Sequence, residues 1–123
     1  FLIENQYNKF LLLSGKDQCD LEKSIISNYS DQIKFIDTAK KSIGEVIPDL
    51  KKCNFVIGND TGFSHLSVAY NKKTYVILGD CPPHTYSNLI IAIDKDQNLE
   101  RSIDSIKTIK LKKVLKYLDK SLI

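Results

Sequence analysis

Apolar positions along the chain come in short runs separated by stretches in which they recur every three or four residues, and the two patterns alternate. The run Lys9 to Ser14 (KFLLLS) stops at Gly15, and an apolar run of this length predicts a strand buried on both faces. Leu21, Ile25 and Ile26 then recur at helical spacing up to Tyr29, with Asp20 as the expected N-cap. Ile33 to Ile36 predicts a second strand ending at Asp37 and Thr38. Ser42 opens a helix carrying Ile43, Val46, Ile47 and Leu50, and Pro48 inside it predicts a kink or two short turns.

A third strand, Asn54 to Gly58, runs into the turn Asn59-Asp60-Thr61-Gly62. Phe63, Leu66, Val68, Ala69 and Tyr70 then predict a compact, largely buried helix. Lys73 to Leu78 and Leu89 to Ile93 predict the fourth and fifth strands, with the loop Asp80-Cys81-Pro82-Pro83-His84-Thr85 between them. After a polar stretch from Asp94 to Arg101, Leu111, Val114, Leu115, Leu118 and Leu122 form the apolar stripe of a last helix. Strands alternating with helices of this length predict an α/β fold, a Rossmann-like open parallel sheet with helices on both faces. The expected organisation is a single unit over residues 1–123, with no internal repeat and no linker rich in Gly, Ser or Pro. Phe1 to Gln6 reads as the tail of a helix.

Composition narrows the class without naming a function. With 42% hydrophobic and 27% charged residues, the chain is not collagen-like, low-complexity or a disulfide-rich miniprotein. Its longest apolar runs, Phe10 to Leu13 and Leu89 to Ile93, are far shorter than the roughly 18 residues of a membrane span. Methionine is absent even from position 1, so the chain is expected to be a piece of a longer protein.

The net charge of +3 is local: Lys107 to Ile123 holds six lysines against one aspartate, which leaves the remainder slightly acidic. Arg101 is the only arginine and Tyr117 the only aromatic among the C-terminal lysines, so no nucleic-acid partner is expected. A solvated helix face accounts for Lys112, Lys113, Lys116 and Lys120; a basic amphipathic helix also suits contact with an anionic membrane. Cys19, Cys53 and Cys81 are odd in number and form no CxxC pair, which fits a reducing cytoplasm. Cys81 and His84 have the spacing of half a metal site, but two ligands make none, and no metal is expected.

In open parallel sheets, ligands collect where strand ends lead into helix N-termini. Those ends carry Gly15-Lys16-Asp17, Asp37-Thr38, Asn59-Asp60-Thr61-Gly62 and Gly79-Asp80. The third is the sharpest candidate. Gly62 lets backbone approach a ligand, and the helix that starts there points unpaired N–H groups at it. His65 falls within the first turn, close enough to share a pocket with the Thr61 hydroxyl and the Gly62 amide. Asp60 would repel a free phosphate but would accept hydrogen bonds from sugar hydroxyls, or hold His65 in one tautomer. A nucleotide-sugar, with a diphosphate and hydroxyls, suits such a loop. The plainer alternative is that NDTG is a turn, Asp60 a helix cap and His65 a packed core histidine.

The run from Asn54 to Tyr70 (NFVIGNDTGFSHLSVAY) resembles the signature of glycosyltransferase family 9, the heptosyltransferases of lipopolysaccharide core synthesis: an apolar strand, D-T-G-x-x-H-L, a small-residue helix and a second apolar strand. The order of elements on either side matches over nearly the whole chain. The resemblance implies the C-terminal, donor-binding half of a two-domain GT-B enzyme, with Asp60 on the donor sugar hydroxyls, Thr61 and Gly62 on the diphosphate, and His65 on the phosphate side. Asp17 or Asp20 would hold the nucleotide ribose. Gly79 and His84 are further candidates, because Asp80-Cys81-Pro82-Pro83-His84 stands where the family commonly has Thr before its proline. Asn71 replaces a family glycine and, like it, tolerates the left-handed conformation.

By the same resemblance the catalytic base lies on an N-terminal acceptor domain absent from these residues, so the chain holds no catalytic residue of its own and would be inactive alone. The reaction would be inverting and metal-independent and need no cofactor, since the nucleotide-sugar is a substrate. The partners would be that donor and a lipid-linked glycan acceptor, at the cytoplasmic side of a membrane. The alternative is a non-catalytic Rossmann-like binding or assembly module of the same ancestry.

Overall fold

A computed structural model of the chain describes residues 10–14, 19–29, 31, 33–38 and 40–122. The described elements run β1 (Phe10–Ser14), α1 (Cys19–Tyr29), β2 (Ile33–Asp37), α2 (Ile43–Lys52), β3 (Phe55–Asn59), α3 (Gly62–Ala69), β4 (Lys73–Ile77) and β5 (Ile90–Ile93), then a 3₁₀ turn at Ile103–Thr108 and α4 (Leu111–Leu122). The chain divides into two compact units, Phe1–Cys53 and Asn54–Ile123. All pairings among the described strands are parallel, as the α/β reading requires, and hydrogen bonding sorts these strands into two sheets, β1-β2 and β3-β4-β5.

In the first unit, β1 and β2 pair from Phe10 with Ile33 to Ser14 with Asp37. Helix α1 begins at Cys19, so Asp20 lies inside the first turn instead of capping it. Ser42 does cap α2. The Glu45 carboxylate accepts hydrogen bonds from both the backbone N–H and the hydroxyl of Ser42, each at 2.8 Å, and those bonds hold the Glu45 carboxyl below its ordinary range. The helix runs unbroken through Pro48. Pro48 sits at the sixth helical position, so its missing N–H removes only the bond that would reach the Gly44 carbonyl. Ile36, Val46 and Leu50 are buried apolar residues of this unit among those described.

The second unit is built around β4. Tyr75 and Val76 are buried, and so is the Thr74 beside them, as expected of a central strand flanked by β3 and β5. Register pairs Asn59 with Ile77 and Ile77 with Ile93, so the carboxyl ends of the three strands lie along one edge. Helix α3 provides the crossover from β3 to β4 and packs closely because its inner face is small. Ser64 and Ser67 are buried. The Ser64 hydroxyl donates to the Asn59 carbonyl at 2.7 Å, and Ser67 Oγ lies 2.6 Å from Thr74 Oγ1, joining helix to central strand. A Cβ at Gly58 would stand 3.1 Å from Ser64 Oγ, so glycine is what lets α3 sit this close.

Helix α3 ends in a Schellman turn. Asn71 adopts φ of 61°, its N–H reaches the Val68 carbonyl at 2.9 Å, and the Lys72 N–H reaches Ser67 at 2.9 Å. The tolerance expected of Asn71 is thus the conformation it takes. Segment 78–89 then returns from the end of β4 to the start of β5 without regular structure, the length of about a dozen residues that parallel neighbours require. In α4, Leu118 is buried, but Leu111 is 71% exposed. The apolar stripe therefore begins one turn later than its sequence pattern suggests, because Leu111 is the first helical residue and follows the exposed Lys110. Among the described residues no helix is long and apolar enough to cross a membrane.

Candidate functional site

The turn after β3 places Asp60 at the sheet's carboxyl edge, Thr61 at the N-cap of α3 and Gly62 at its first helical position. Thr61 has extended backbone (φ −136°, ψ 165°), and its carbonyl accepts from Ser64 and His65 N–H at 3.0 and 3.3 Å. Its exposed side chain makes no capping bond. The amides of Gly62 and Phe63 consequently have no partner among the described residues. A Cβ at Gly62 would meet nothing within 4 Å, and the residue does not have positive φ. Among the described residues, neither packing nor backbone conformation calls for glycine here.

Three side chains converge beside that helix end. Asp60 Oδ1 lies 2.9 Å from His65 Nε2, and Asp60 Oδ2 lies 2.9 Å from His84 Nε2. One carboxylate thus orients two imidazoles, one on each oxygen. The Tyr86 hydroxyl is 2.6 Å from His65 Nδ1; with a neutral ring, Tyr86 donates to Nδ1 while Nε2–H of His65 donates to Asp60. The two imidazole rings meet edge to face, with centroids 4.9 Å apart at 76°. The side chain of Asp60 is 19% exposed, against 40% for His65 and 30% for His84, so the histidines form the accessible rim and the carboxylate the floor. The hydrogen bond from His84 holds the Asp60 carboxyl below its ordinary range; partial burial opposes this, and the charge of His84 and the bond from His65 add to it.

The return loop is anchored by the chain's single arginine. Arg101 donates to both oxygens of Asp94, at 3.0 and 2.5 Å, and to the Cys81 carbonyl at 2.6 Å. This forked contact ties the loop ahead of His84 to the end of β5. The Cys81 thiol is pushed up by the negative charge of neighbouring Asp80, with burial and Asp60 acting in the same direction, so it is a poor nucleophile at neutral pH.

Of the residues singled out in the sequence, Asp60, Thr61, Gly62, His65 and His84 come together. Gly79 does not join them: it is buried, and a Cβ there would meet Ile106 Cβ at 3.2 Å and Ile106 N at 3.3 Å, so its smallness serves packing against the 3₁₀ turn. Asp20 lies on α1 in the other unit, and Asp17 lies outside the described residues. Sequence reasoning missed Tyr86, whose only signal is a lone aromatic in a polar loop, and Arg101, whose only signal is its rarity. It also missed that Asp60, His65 and His84 assemble a group of three metal-capable side chains, with ligand atoms all within 4.8 Å of one another. Spacing along the chain hides this, because His84 arrives from a different loop.

The parallel strands, the crossover helix with an open N-terminus at the sheet's carboxyl edge, and the polar group beside it define a Rossmann-like α/β protein. Its lineage follows from the whole sequence: the family model for glycosyltransferase family 9 (heptosyltransferase) matches residues 1–117, and the chain belongs to that family of glycosyltransferases. No curated protein and no solved structure matches it.

Proposed function

We propose that residues 54–123 bind the donor of a glycosyl transfer, an ADP-heptose-like nucleotide-sugar, at the N-terminus of α3. The observation that carries this reading is Gly62: a glycine that nothing among the described residues requires, at the head of a helix whose first amides have no partner among them, beside an ionised carboxylate and two imidazoles. In this reading the Gly62 and Phe63 amides and the Thr61 hydroxyl hold the diphosphate. Asp60 accepts from sugar hydroxyls, and His65 and His84 lie on the phosphate side, where a protonated imidazole strengthens the contact.

The transfer is inverting and metal-independent in this proposal. The base that deprotonates the acceptor, a lipid-linked glycan, belongs to a domain outside these residues, at the cytoplasmic face of a membrane. Lys112, Lys116 and Leu111 are all exposed on α4, a composition of the kind that meets anionic lipid. Co-sedimentation with anionic but not neutral vesicles checks that contact.

Titrating ADP-heptose into the full-length protein by calorimetry tests the donor site. Asp60→Ala and His65→Ala are each expected to weaken binding at least about tenfold, since each removes a charge-assisted contact. Unchanged affinity in both variants would overturn the assignment.

A further inference from the structure

Away from the donor corner we infer a second binding site, for a phosphate group, in a hollow between the segment that leaves β5 and the head of α4; it does not rest on the donor reading. The hollow has a volume of about 380 Å³, within the range of about 300–1,000 Å³ usual for small-molecule sites. Lys110, Lys112, Lys113 and Lys116 line it, together with a single acid, Asp96, and no residue of the Asp60 corner does. Spacings of three and four residues put Lys112 and Lys113 each beside Lys116 on the helix surface. A phosphate monoester, with about two negative charges at neutral pH, answers such a set of cations. It gives the lysines of α4 a defined ligand whether or not a membrane meets them.

Without an anion this charge arrangement is unfavourable. Lysines are stabilising at helix C-termini, where the dipole is negative, and like charges three or four residues apart repel. Here Lys110 directly precedes α4, Lys112 and Lys113 stand in its first turn, and that turn holds no acidic residue. The Lys110 carbonyl accepts from the Lys113 and Val114 amides at 2.8 and 3.4 Å, which leaves the Leu111 and Lys112 amides without a partner among the described residues. Asp96 is a partial remedy. Its carboxylate accepts from Lys113 Nζ at 2.7 Å. That bond, with the charges of Lys113, Lys110 and Lys95 and against some burial, holds the Asp96 carboxyl below its ordinary range. Buried Lys95 gives its own ammonium to the Asp96 carbonyl at 3.2 Å. One carboxylate, 75% exposed, thus faces four lysines around the hollow, and Lys110, Lys112 and Lys116 have no ion-pair partner among the described residues. A phosphate supplies the missing charge and competes with Asp96 for Lys113.

The experiment is amide NMR of the full chain titrated with inorganic phosphate, against chloride at the same ionic strength and neutral pH. Saturable shifts are expected at Asp96 and at Lys110 to Lys113. They are read apart from shifts at Gly62 to His65, so this site and the donor site succeed or fail separately. A Lys110→Gln, Lys116→Gln variant should bind about tenfold more weakly, since exposed charge pairs are each worth about two- to fivefold. Asp96→Asn should bind about two- to fivefold more tightly, because the ligand no longer competes with an exposed ion pair; a merely structural Asp96 would give no such gain. Phosphatidylcholine vesicles carrying phosphatidic acid, compared with phosphatidylserine at equal surface charge, identify the source. A preference for phosphatidic acid that the lysine variant loses marks a lipid headgroup, and phosphate binding without that preference marks a soluble phosphate ester. The proposal is overturned if phosphate moves these amides no more than chloride does, if the lysine variant with parental circular dichroism binds equally well, or if Asp96→Asn brings no gain.

Discussion

Asp60 and His84 are 24 residues apart in sequence, yet the carboxylate Oδ2 and the imidazole Nε2 meet at 2.9 Å. The contact brings the return loop between β4 and β5 onto the head of α3. It joins the two strand-end loops of the second unit into one polar corner, with His65 on the other carboxylate oxygen. This closure also gives Asp60 its lowered pKa, and the first prediction follows from it.

A carboxyl whose folded pKa lies below its unfolded value binds fewer protons in the folded state. Its contribution to stability is complete above the ordinary value of 3.8 and is lost as pH falls through the lower folded value. Urea unfolding of the parent and of Asp60→Asn should differ above that value, and the gap should narrow as the pH drops below it. A gap that stays constant over this range would show that the carboxylate's charge is not what its partners hold.

Two glycines should behave in opposite ways. Gly62→Ala adds a methyl to open space at a helical position, so stability should stay within about 0.5 kcal/mol of the parent or rise slightly, while donor affinity falls at least about tenfold. Gly79→Ala drives a methyl against Ile106 side chain and backbone and should cost about 1–3 kcal/mol. Thermal unfolding together with donor titration separates the two; a destabilised Gly62→Ala would mean that the residue is there for packing.

At Asn71 the backbone itself is the test. With φ at 61°, Asn71→Gly should be neutral or mildly stabilising, whereas Asn71→Ala should cost about 1 kcal/mol. Denaturant midpoints of the two variants should fall on either side of the parent or level with it on the glycine side.

Arg101→Ala removes the fork between Asp94 and the Cys81 carbonyl. Side chains about one-third exposed keep the global cost small. The larger effect should be local: amide hydrogen exchange in residues 80–88 should speed up relative to β4, and the weakened loop should carry His84 with it. Equal exchange in parent and variant would show that the prolines, not the arginine, hold the loop.

Much of this molecule is written locally. The run KFLLLS, the stripe Ile43-Val46-Leu50 and the buried Tyr75-Val76 pair identify their elements because strand and helix periods depend on near neighbours alone. The D-T-G-x-x-H-L pattern places Asp60, Thr61, Gly62 and His65 at one strand-to-helix turn for the same reason. Asn71 announced its left-handed turn through the chemistry of a single side chain. The tertiary structure decided what depends on where distant segments land. The β4–β5 register and the Arg101 fork set the path that brings His84 and Tyr86 to Asp60. Packing of the 3₁₀ turn gave Gly79 its reason, and hydrogen bonding sorted five strands into two sheets. A sequence records which groups are present and their local rhythm; which carboxylate two histidines share is a matter of geometry between loops, and only the folded chain holds it.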